Sequence, residues 1–237
     1  MKRHLAERAS SLGPAKVLFV RRRERKSADG IHVFWGQSAE RTSWLSTTVV
    51  AGYEDVLELG FDSPGEASPH PLLLVCTHGK HDACCARRGL PVFEAMRELV
   101  DDGWVWQCSH VGGDRFAGNV VCLPEGVYYG RVGPADVLAL LDVHLSGRVR
   151  LDLYRGRSCH SFAVQAAERA VREASGVLEV DALELVSTSP IRFRVGATEY
   201  EVDVERQEGE LAHLTCNAVD LSHPRRYVAR ILRESGA

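Results

Sequence analysis

Two polar loops near the middle of the chain carry most of the residues that could bind a metal or act as nucleophiles. These residues are Cys76, His78, His81, Asp82, Cys84 and Cys85 in the first loop, and Cys108, His110 and Asp114 in the second. Each loop follows a predicted strand, and sites in open α/β sheets collect at the carboxyl ends of strands, so we expect the two loops to converge. Thiolates and an imidazole that meet at one point are typical of a metal site.

The spacing of the cysteines discriminates between kinds of metal and redox centre. Structural zinc sites usually contain two close ligand pairs, whereas eight residues separate Cys76 from Cys85. The chain has no Cys-x-x-Cys motif of the kind that begins a helix in dithiol oxidoreductases. A two-iron two-sulfur (2Fe–2S) cluster needs two ligands on each iron, and a wide loop can supply them. The spacing fits this cluster best, and zinc stays open as the alternative.

The hydrophobic pattern predicts the elements that position these loops. Residues 71–76 form a continuous apolar run typical of a buried strand, and 91–102 has the amphipathic period of a helix. A strand at 104–109, a hairpin made of VVCL and VYYGRV, and a second helix at 134–145 follow. A β–α–β unit with an appended hairpin and a closing helix is a thioredoxin-like plan.

The flanking segments predict two further units in an α/β protein. A linker rich in Pro, Gly and Ser occupies 61–71, and strands are predicted before it at 15–22, 30–36 and 43–50. We therefore divide the chain into an N-terminal α/β unit (1–65), a thioredoxin-like ferredoxin module (66–150) and a C-terminal α+β extension (151–237). The extension should contain a helix at 161–176 and strands at 182–187, 191–195, 198–205 and 211–217.

The composition excludes several classes of protein. The chain has 237 residues, of which 45% are hydrophobic and 26% charged, and its formal net charge is −3. This composition excludes a disordered chain and a disulfide-rich miniprotein, and the charge gives no electrostatic basis for binding nucleic acid. The start, Met-Lys-Arg-His, is followed by no apolar run. We therefore expect a cytoplasmic protein that neither crosses nor binds a membrane, with its cysteines reduced.

Two strings of residues resemble the sucrase/ferredoxin-like family, which belongs with the thioredoxin-like 2Fe–2S ferredoxins. They are CTHGKHDACCARRGLPVFEAM and WQCSHVGGDRFAGNVVCLPEGVYYGRV. Residues 15–60 and the segment RGRSCHSFAVQAAERA are also similar to the family. Met1 falls inside the family's N-terminal pattern, which leaves the natural start of the protein open.

The resemblance implies a 2Fe–2S cluster and a set of ligands for it. Its two loop cysteines correspond to Cys76 and Cys85, and its second ligand pair corresponds to His110 and Asp114. The family has histidine or cysteine at the fourth position, so the aspartate is a departure, and a carboxylate is a rare ligand for such a cluster. Cys108 and Cys84 stay open as alternates.

The remaining residues near the site have expected supporting roles. We expect His78 and Arg115 to contribute hydrogen bonds or positive charge beside the cluster, and Gly112 and Gly113 to let the backbone approach it closely. The other cysteines should lie outside the site. We expect Cys122 in the core, and Cys159 and Cys216 as structural or free thiols.

Together these features predict an electron carrier with one 2Fe–2S cluster of mixed Cys/His ligation and a redox partner protein. An imidazole in place of a thiolate removes negative charge, which raises the reduction potential. We expect a carrier rather than an enzyme, because we can assign no catalytic residue: nothing supplies an oxyanion hole, and no pair of carboxylates suits glycosidase chemistry. The alternative is a zinc-binding or metal-free thioredoxin-like protein with a binding or thiol-redox role.

Overall fold

The computed structural model describes residues 2–22, 30–101, 103–216 and 218–236. The described elements form a six-stranded central sheet, a four-stranded sheet and a two-stranded sheet. The helices are α1 (Lys2–Ser11), α2 (Tyr53–Glu58), α3 (Ala83–Arg97), α4 (Val137–Leu145) and α5 (Phe162–Ser175). The strands are β1 (Val20–Arg21), β2 (Ile31–Gln37), β3 (Trp44–Val50), β4 (Leu72–Cys76), β5 (Val105–Cys108), β6 (Val120–Leu123), β7 (Val127–Tyr129), β8 (Tyr154–Arg157), β9 (Leu183–Thr188), β10 (Ile191–Val195), β11 (Thr198–Glu208) and β12 (Arg225–Gly236).

The central sheet confirms the α/β class and the thioredoxin-like plan. Its strand order is β1-β5-β4-β6-β7-β8. β4 and β5 are parallel and joined by α3, whereas β6 and β7 form the antiparallel hairpin, after which α4 closes the unit. The parallel pair brings two carboxyl ends to the same edge, because Cys76 pairs with Cys108 in the register.

Both faces of the central sheet are packed, which explains why β4 is apolar at every position. Leu73 and Val75 point into a core shared with α3 and α4, whereas Leu72, Leu74 and Cys76 point into a second core under Trp106. All five residues of β4 are buried. A strand covered on both faces loses the alternation of polar and apolar residues.

Helix α3 begins eight residues earlier than its sequence pattern predicts. The expected helix starts at Pro91, but Pro91 lies inside α3, which begins at Ala83. The carboxylate of Asp82 accepts a hydrogen bond from the backbone N–H of Cys84 at 2.7 Å and caps the helix there. This cap satisfies a free N–H group of the first turn. Cys84 and Cys85 consequently belong to a helix rather than to a loop.

The central sheet receives a strand from each flanking segment. β1 comes from before residue 66 and is only two residues long, shorter than the expected strand at 15–22, and β8 comes from after residue 150. β2 and β3 pair as a separate antiparallel hairpin. The division of the chain at 65 and 150 stays a prediction.

The C-terminal segment forms its own layer of helix and sheet. α5 packs against a sheet of order β12-β11-β10-β9, around a core that contains Val171, Phe193 and Tyr200. The expected strand at 211–217 was wrong over 211–216, which lie in a loop between β11 and β12, and residue 217 lies outside the described residues. Residues 209–216 and 218–224 of this loop are called the strap below. No helix in the described part of the chain is long and apolar enough to cross a membrane.

Candidate metal centre

The four residues of the expected ligand set come from three neighbouring elements. Cys76 is the last residue of β4, Cys85 lies in the first turns of α3, and His110 and Asp114 belong to the segment after β5. Gly89 allows α3 to pass closely over the end of β4, since a Cβ atom there would collide with the carbonyl oxygen of Cys76. The close approach of helix to strand brings the two cysteines together.

The structure places the donor atoms of these residues within a few ångströms of one another. Nδ1 of His110 lies 3.8 Å from Sγ of Cys85, 4.0 Å from Sγ of Cys76 and 3.1 Å from Oδ1 of Asp114. Sγ of Cys85 and Oδ1 of Asp114 are 3.7 Å apart. Among the described residues, Cys76, Cys85 and His110 form one group whose ligand atoms all lie within 4.8 Å of one another. Two thiols, an imidazole and a carboxylate therefore converge.

Burial favours the neutral forms of two of these groups, Cys85 and His110, when no metal is bound. Burial, followed by the proximity of Cys76 and Asp114, raises the pKa of the Cys85 thiol. Burial likewise lowers the pKa of His110, which the carboxylate of Asp114 opposes. A divalent or trivalent cation at this point would stabilise thiolates and so reverse the preference of the thiols, whereas the neutral imidazole is already the form that coordinates a metal. The donor set therefore suits a metal or an iron–sulfur cluster.

Cys108 faces the same core as Cys76 but does not join the group. Its side chain is 4% exposed and packs among Trp106 and Val111 in the second core. Burial raises the pKa of its thiol, and the neighbouring Cys76 raises it further. Within the described part of the chain, the sulfur of Cys108 is absent from every group of candidate ligand atoms.

Lys16 adds a positive charge that the sequence did not point to. Its ammonium donates a hydrogen bond of 2.6 Å to the carbonyl oxygen of Val111, next to His110. Burial lowers the pKa of Lys16, while negative charge on Cys108 and Cys76 would raise it. The N-terminal segment therefore places a cation beside the sulfur atoms. In the sequence, Lys16 is a single lysine in a predicted strand. Nothing in the local pattern indicates that it reaches the site.

The second loop is held in place by a buried asparagine and a half-buried arginine. Gly112 and Gly113 have φ angles of 96° and 77°, which explains the need for glycine there. Asn119 donates a hydrogen bond to the carbonyl oxygen of Gly113 at 3.0 Å, and Arg155 donates one to Oδ1 of Asn119 at 2.7 Å. Asn119 belongs to the RFAGN string. The family resemblance therefore indicated this residue, although its residue type alone did not make it a candidate.

The two histidines of the first loop both contact the site. Nδ1 of His78 accepts a hydrogen bond of 3.3 Å from the backbone N–H of His110. His81 stacks on the ring of His110 with centroids 3.9 Å apart, and its Nε2 lies 3.8 Å from Oδ1 of Asp114. His81, His110 and Asp114 form a second group of candidate ligand atoms. The imidazole of His81 is 47% exposed, so it forms the outer side of the site.

Cys84 and Cys216 correct an expectation from the sequence. Cys84 was expected as an alternate ligand, and Cys216 as a structural or free thiol, but the two form a disulfide with a Cα–Cα distance of 5.8 Å. The separation of 132 residues explains why no local pattern indicated the pair. Cys76, Cys85, Cys108, Cys122 and Cys159 are free, and Cys122 is buried in the first core as expected.

A match to a protein family covers most of the region just described. Residues 15–156 match the family described as sucrase/ferredoxin-like. The chain belongs to this family. The match includes both loops of the candidate metal centre and all but the last residue of β8, and it ends before α5 and the C-terminal sheet.

Curated relatives of this sucrase/ferredoxin-like chain share a shorter region with it. It is 39% identical over 99 residues to the altered inheritance of mitochondria protein 32 of Meyerozyma guilliermondii, which covers 36% of this chain and 34% of the relative. The protein of the same name from Clavispora lusitaniae is 38% identical over 98 residues, covering 37% and 35%. The chain therefore spans about a third of the length of these relatives. A solved structure of a thioredoxin-like 2Fe–2S ferredoxin from Aquifex aeolicus is 23% identical, with a TM-score of 0.35, over 38% of this chain and 94% of that one.

Proposed function

We propose that this protein transfers electrons through a single 2Fe–2S cluster bound by Cys76, Cys85, His110 and Asp114. The observation that carries the proposal is the convergence of Sγ of Cys76, Sγ of Cys85 and Nδ1 of His110 within 4.8 Å. Soft sulfur donors select iron–sulfur clusters or zinc, and membership of the sucrase/ferredoxin-like family favours the cluster. When bound, the cluster supplies a one-electron redox couple.

Asp114 is our choice for the fourth ligand because of its position. Its Oδ1 is 3.1 Å from Nδ1 of His110 and 3.7 Å from Sγ of Cys85, and its side chain is 13% exposed. Among the described residues, the sulfur of Cys108 belongs to no group of candidate ligand atoms. Cys84 is bonded to Cys216 and would have to be reduced before it could bind a metal.

The residues around the site would tune its charge. Lys16 and Arg155 place cationic side chains close to the second loop. His110 supplies a neutral ligand where most clusters have a thiolate, and both effects favour the reduced state and raise the potential. His78 and His81 fix the position of His110 through a hydrogen bond and a stacked ring.

The proposal extends to the partner and the location. An electron carrier of this kind needs a redox partner protein, which it would meet through a weak, transient contact. We propose the cytoplasm as its location, since Cys76 and Cys85 must stay reduced to bind a metal. A role as carrier rather than enzyme is likewise our proposal.

The second candidate function is zinc binding with a thiol-redox role. The group of His81, His110 and Asp114 favours it, because nitrogen and oxygen donors suit zinc as well as sulfur does. The Cys84–Cys216 disulfide beside the site also fits thiol chemistry.

Spectroelectrochemistry of the anaerobically purified protein tests electron transfer directly. We expect visible absorption that bleaches on adding one electron per chain and returns on reoxidation. A colourless protein that contains zinc, obtained even when iron is supplied during anaerobic preparation, would contradict the proposal and support the zinc alternative.

A further inference from the structure

The strap reaches over the candidate metal centre and is attached there at one residue. Cys216 forms the disulfide with Cys84, and its backbone N–H donates a hydrogen bond of 2.8 Å to Oδ2 of Asp82. Asp82 is fully buried and also caps α3 through its other oxygen. The covalent and the polar attachment of the strap therefore meet at the first turn of the helix that carries Cys85.

A cavity of about 410 Å³, open to solvent, lies between the strap and the metal centre. The strap contributes residues 213–216 and 218, and the opposite wall contains Cys84, Asp114 and Arg115. Asp114 is one of the four proposed ligands, so this cavity is the approach to the metal centre from the side of the strap. A displacement of the strap would open that approach.

Packing alone holds the strap weakly. Three of its large apolar side chains are mostly exposed: Leu211 is 55% exposed, Leu221 52% and Val219 90%, whereas Leu214 is half-buried against the cavity. Its other described hydrogen bonds link the two arms of the strap, such as those between Ala212 and Ser222 and between Gly209 and Pro224. Segments with few buried apolar contacts open at low free-energy cost. The disulfide is therefore the main constraint that keeps the strap over the site.

We propose that Cys84 and Cys216 form a redox-active disulfide which a dithiol reductant opens, and that opening it releases the strap from the approach to the metal centre. The second part rests on the proposed function, whereas the first part does not. The disulfide is accessible for this reaction because Cys216 is exposed at the surface. Exposed disulfides are more often easily reduced than buried ones.

The exchange reaction is balanced by the dithiol itself. One thiolate of the reductant attacks Sγ of Cys216, forming a mixed disulfide and releasing Sγ of Cys84 as a thiolate that takes up a proton. The second thiol of the reductant then loses its proton and attacks the reductant's other sulfur atom, which is bonded to Cys216. Cys216 leaves as a thiolate and takes up that proton. The protein disulfide gains two electrons, and the dithiol leaves as a disulfide.

The test combines peptide mapping with hydrogen exchange on the full-length chain. Mass spectrometry without reductant should find the peptides of Cys84 and Cys216 linked, and dithiothreitol should separate them. Amide exchange of 209–216 and of 110–116 should then accelerate about tenfold in the wild type. Cys216→Ser should exchange at the fast rate with or without dithiothreitol, and Cys159→Ser, which removes an exposed cysteine that forms no disulfide, should behave as the wild type does.

Two results would overturn the proposal. One is alkylation of Cys84 and Cys216 in the unreduced protein, which would show that no disulfide forms. The other is an unchanged exchange rate at 110–116 after reduction, which would show that the strap does not control the metal centre. Neither measurement requires iron. If the chain binds no iron but gives the expected alkylation and exchange results, only the proposed function is contradicted. If the chain binds iron but gives either of the two contrary results, only the proposal about the disulfide is contradicted.

Discussion

His110 and His144 lie beside the two packed faces of the central sheet, and their surroundings differ. His144, on α4, is buried with its Nδ1 3.2 Å from the hydroxyl of Tyr129 and its Nε2 3.9 Å from Glu125. His110 is 19% exposed and has two thiols and a carboxylate around its Nδ1. Burial lowers the pKa of both imidazoles, to about 4 for His144. Burial alone therefore does not make a histidine a candidate ligand. What distinguishes His110 is that other donor atoms converge on it at an accessible edge of the sheet.

Removing a thiol from the candidate metal centre should have the largest effect on bound iron. Cys85→Ser should lose nearly all bound iron, because a serine hydroxyl is a much poorer ligand than a thiolate. Iron per chain after anaerobic purification measures this. Cys122→Ser is the matched control, as it removes a buried thiol from the first core on the face of His144. Equal iron in Cys85→Ser and wild type would remove Cys85 from the site.

Removing the carboxylate should separate the two candidates for the fourth ligand. Asp114→Asn keeps the shape of the side chain but removes its charge, and we expect at least a tenfold faster loss of iron to a chelator, roughly the scale of changes around a metal site. Cys108→Ser should release iron at the wild-type rate, since among the described residues its sulfur belongs to no group of candidate ligand atoms. The opposite order of the two rates would assign the fourth position to Cys108.

Changing the imidazole to a thiolate should lower the reduction potential. His110→Cys adds a negative charge to the site and should lower the potential by on the order of 100 mV, in the direction that separates thiolate-ligated from imidazole-ligated clusters. In the wild type, proton uptake by His110 on reduction should also make the potential fall as pH rises. Protein-film voltammetry measures both. A wild-type potential that is constant between about pH 6 and 9 would count against a titrating His110.

The histidine on the other face should affect only stability in acid. The pKa of His144 is lowered to about 4, so below the usual histidine value near 6.5 the unfolded chain binds a proton that the folded chain excludes. Stability from this group is complete above that value and is lost as pH falls toward 4, by about 2 to 3 kcal/mol.

His144→Gln should remove this part of the acid sensitivity and leave iron binding intact. Urea unfolding at pH 7 and at pH 4.5 would measure the difference, using the midpoint and slope at each pH. If His144→Gln lost iron as readily as a change at His110 does, the result would contradict the assignment of the metal centre to the face of His110 alone.

The central module could be predicted because its signals are local. A buried strand, an amphipathic helix and a hairpin each leave a short periodic pattern, and the parallel register of β4 and β5 then brings Cys76 close to the segment of His110 and Asp114. The start of α3 was missed because Asp82 and the two cysteines after it read as a polar loop. Only the capping hydrogen bond between Asp82 and Cys84 extends the helix upstream.

The remaining features depend on contacts between distant residues. Lys16 and Arg155 reach the second loop from segments outside the predicted module, and Cys216 reaches Cys84 across 132 residues. No periodicity or spacing encodes such pairs, since they follow from how the flanking segments pack onto the central sheet. Residues 211–217 were predicted as a strand because apolar residues alternate with polar ones there, yet Leu211 is 55% exposed and Leu214 only half-buried.

Chemical analysis of the anaerobically purified protein tests the central claim most directly. Iron, acid-labile sulfide and zinc are measured on the same sample, and we expect about two iron and two sulfide per chain, with no zinc. The same analysis of Cys85→Ser should return neither iron nor sulfide. A wild-type chain that carries zinc without sulfide, or that carries no metal after preparation with iron supplied, would contradict a 2Fe–2S cluster at Cys76, Cys85, His110 and Asp114.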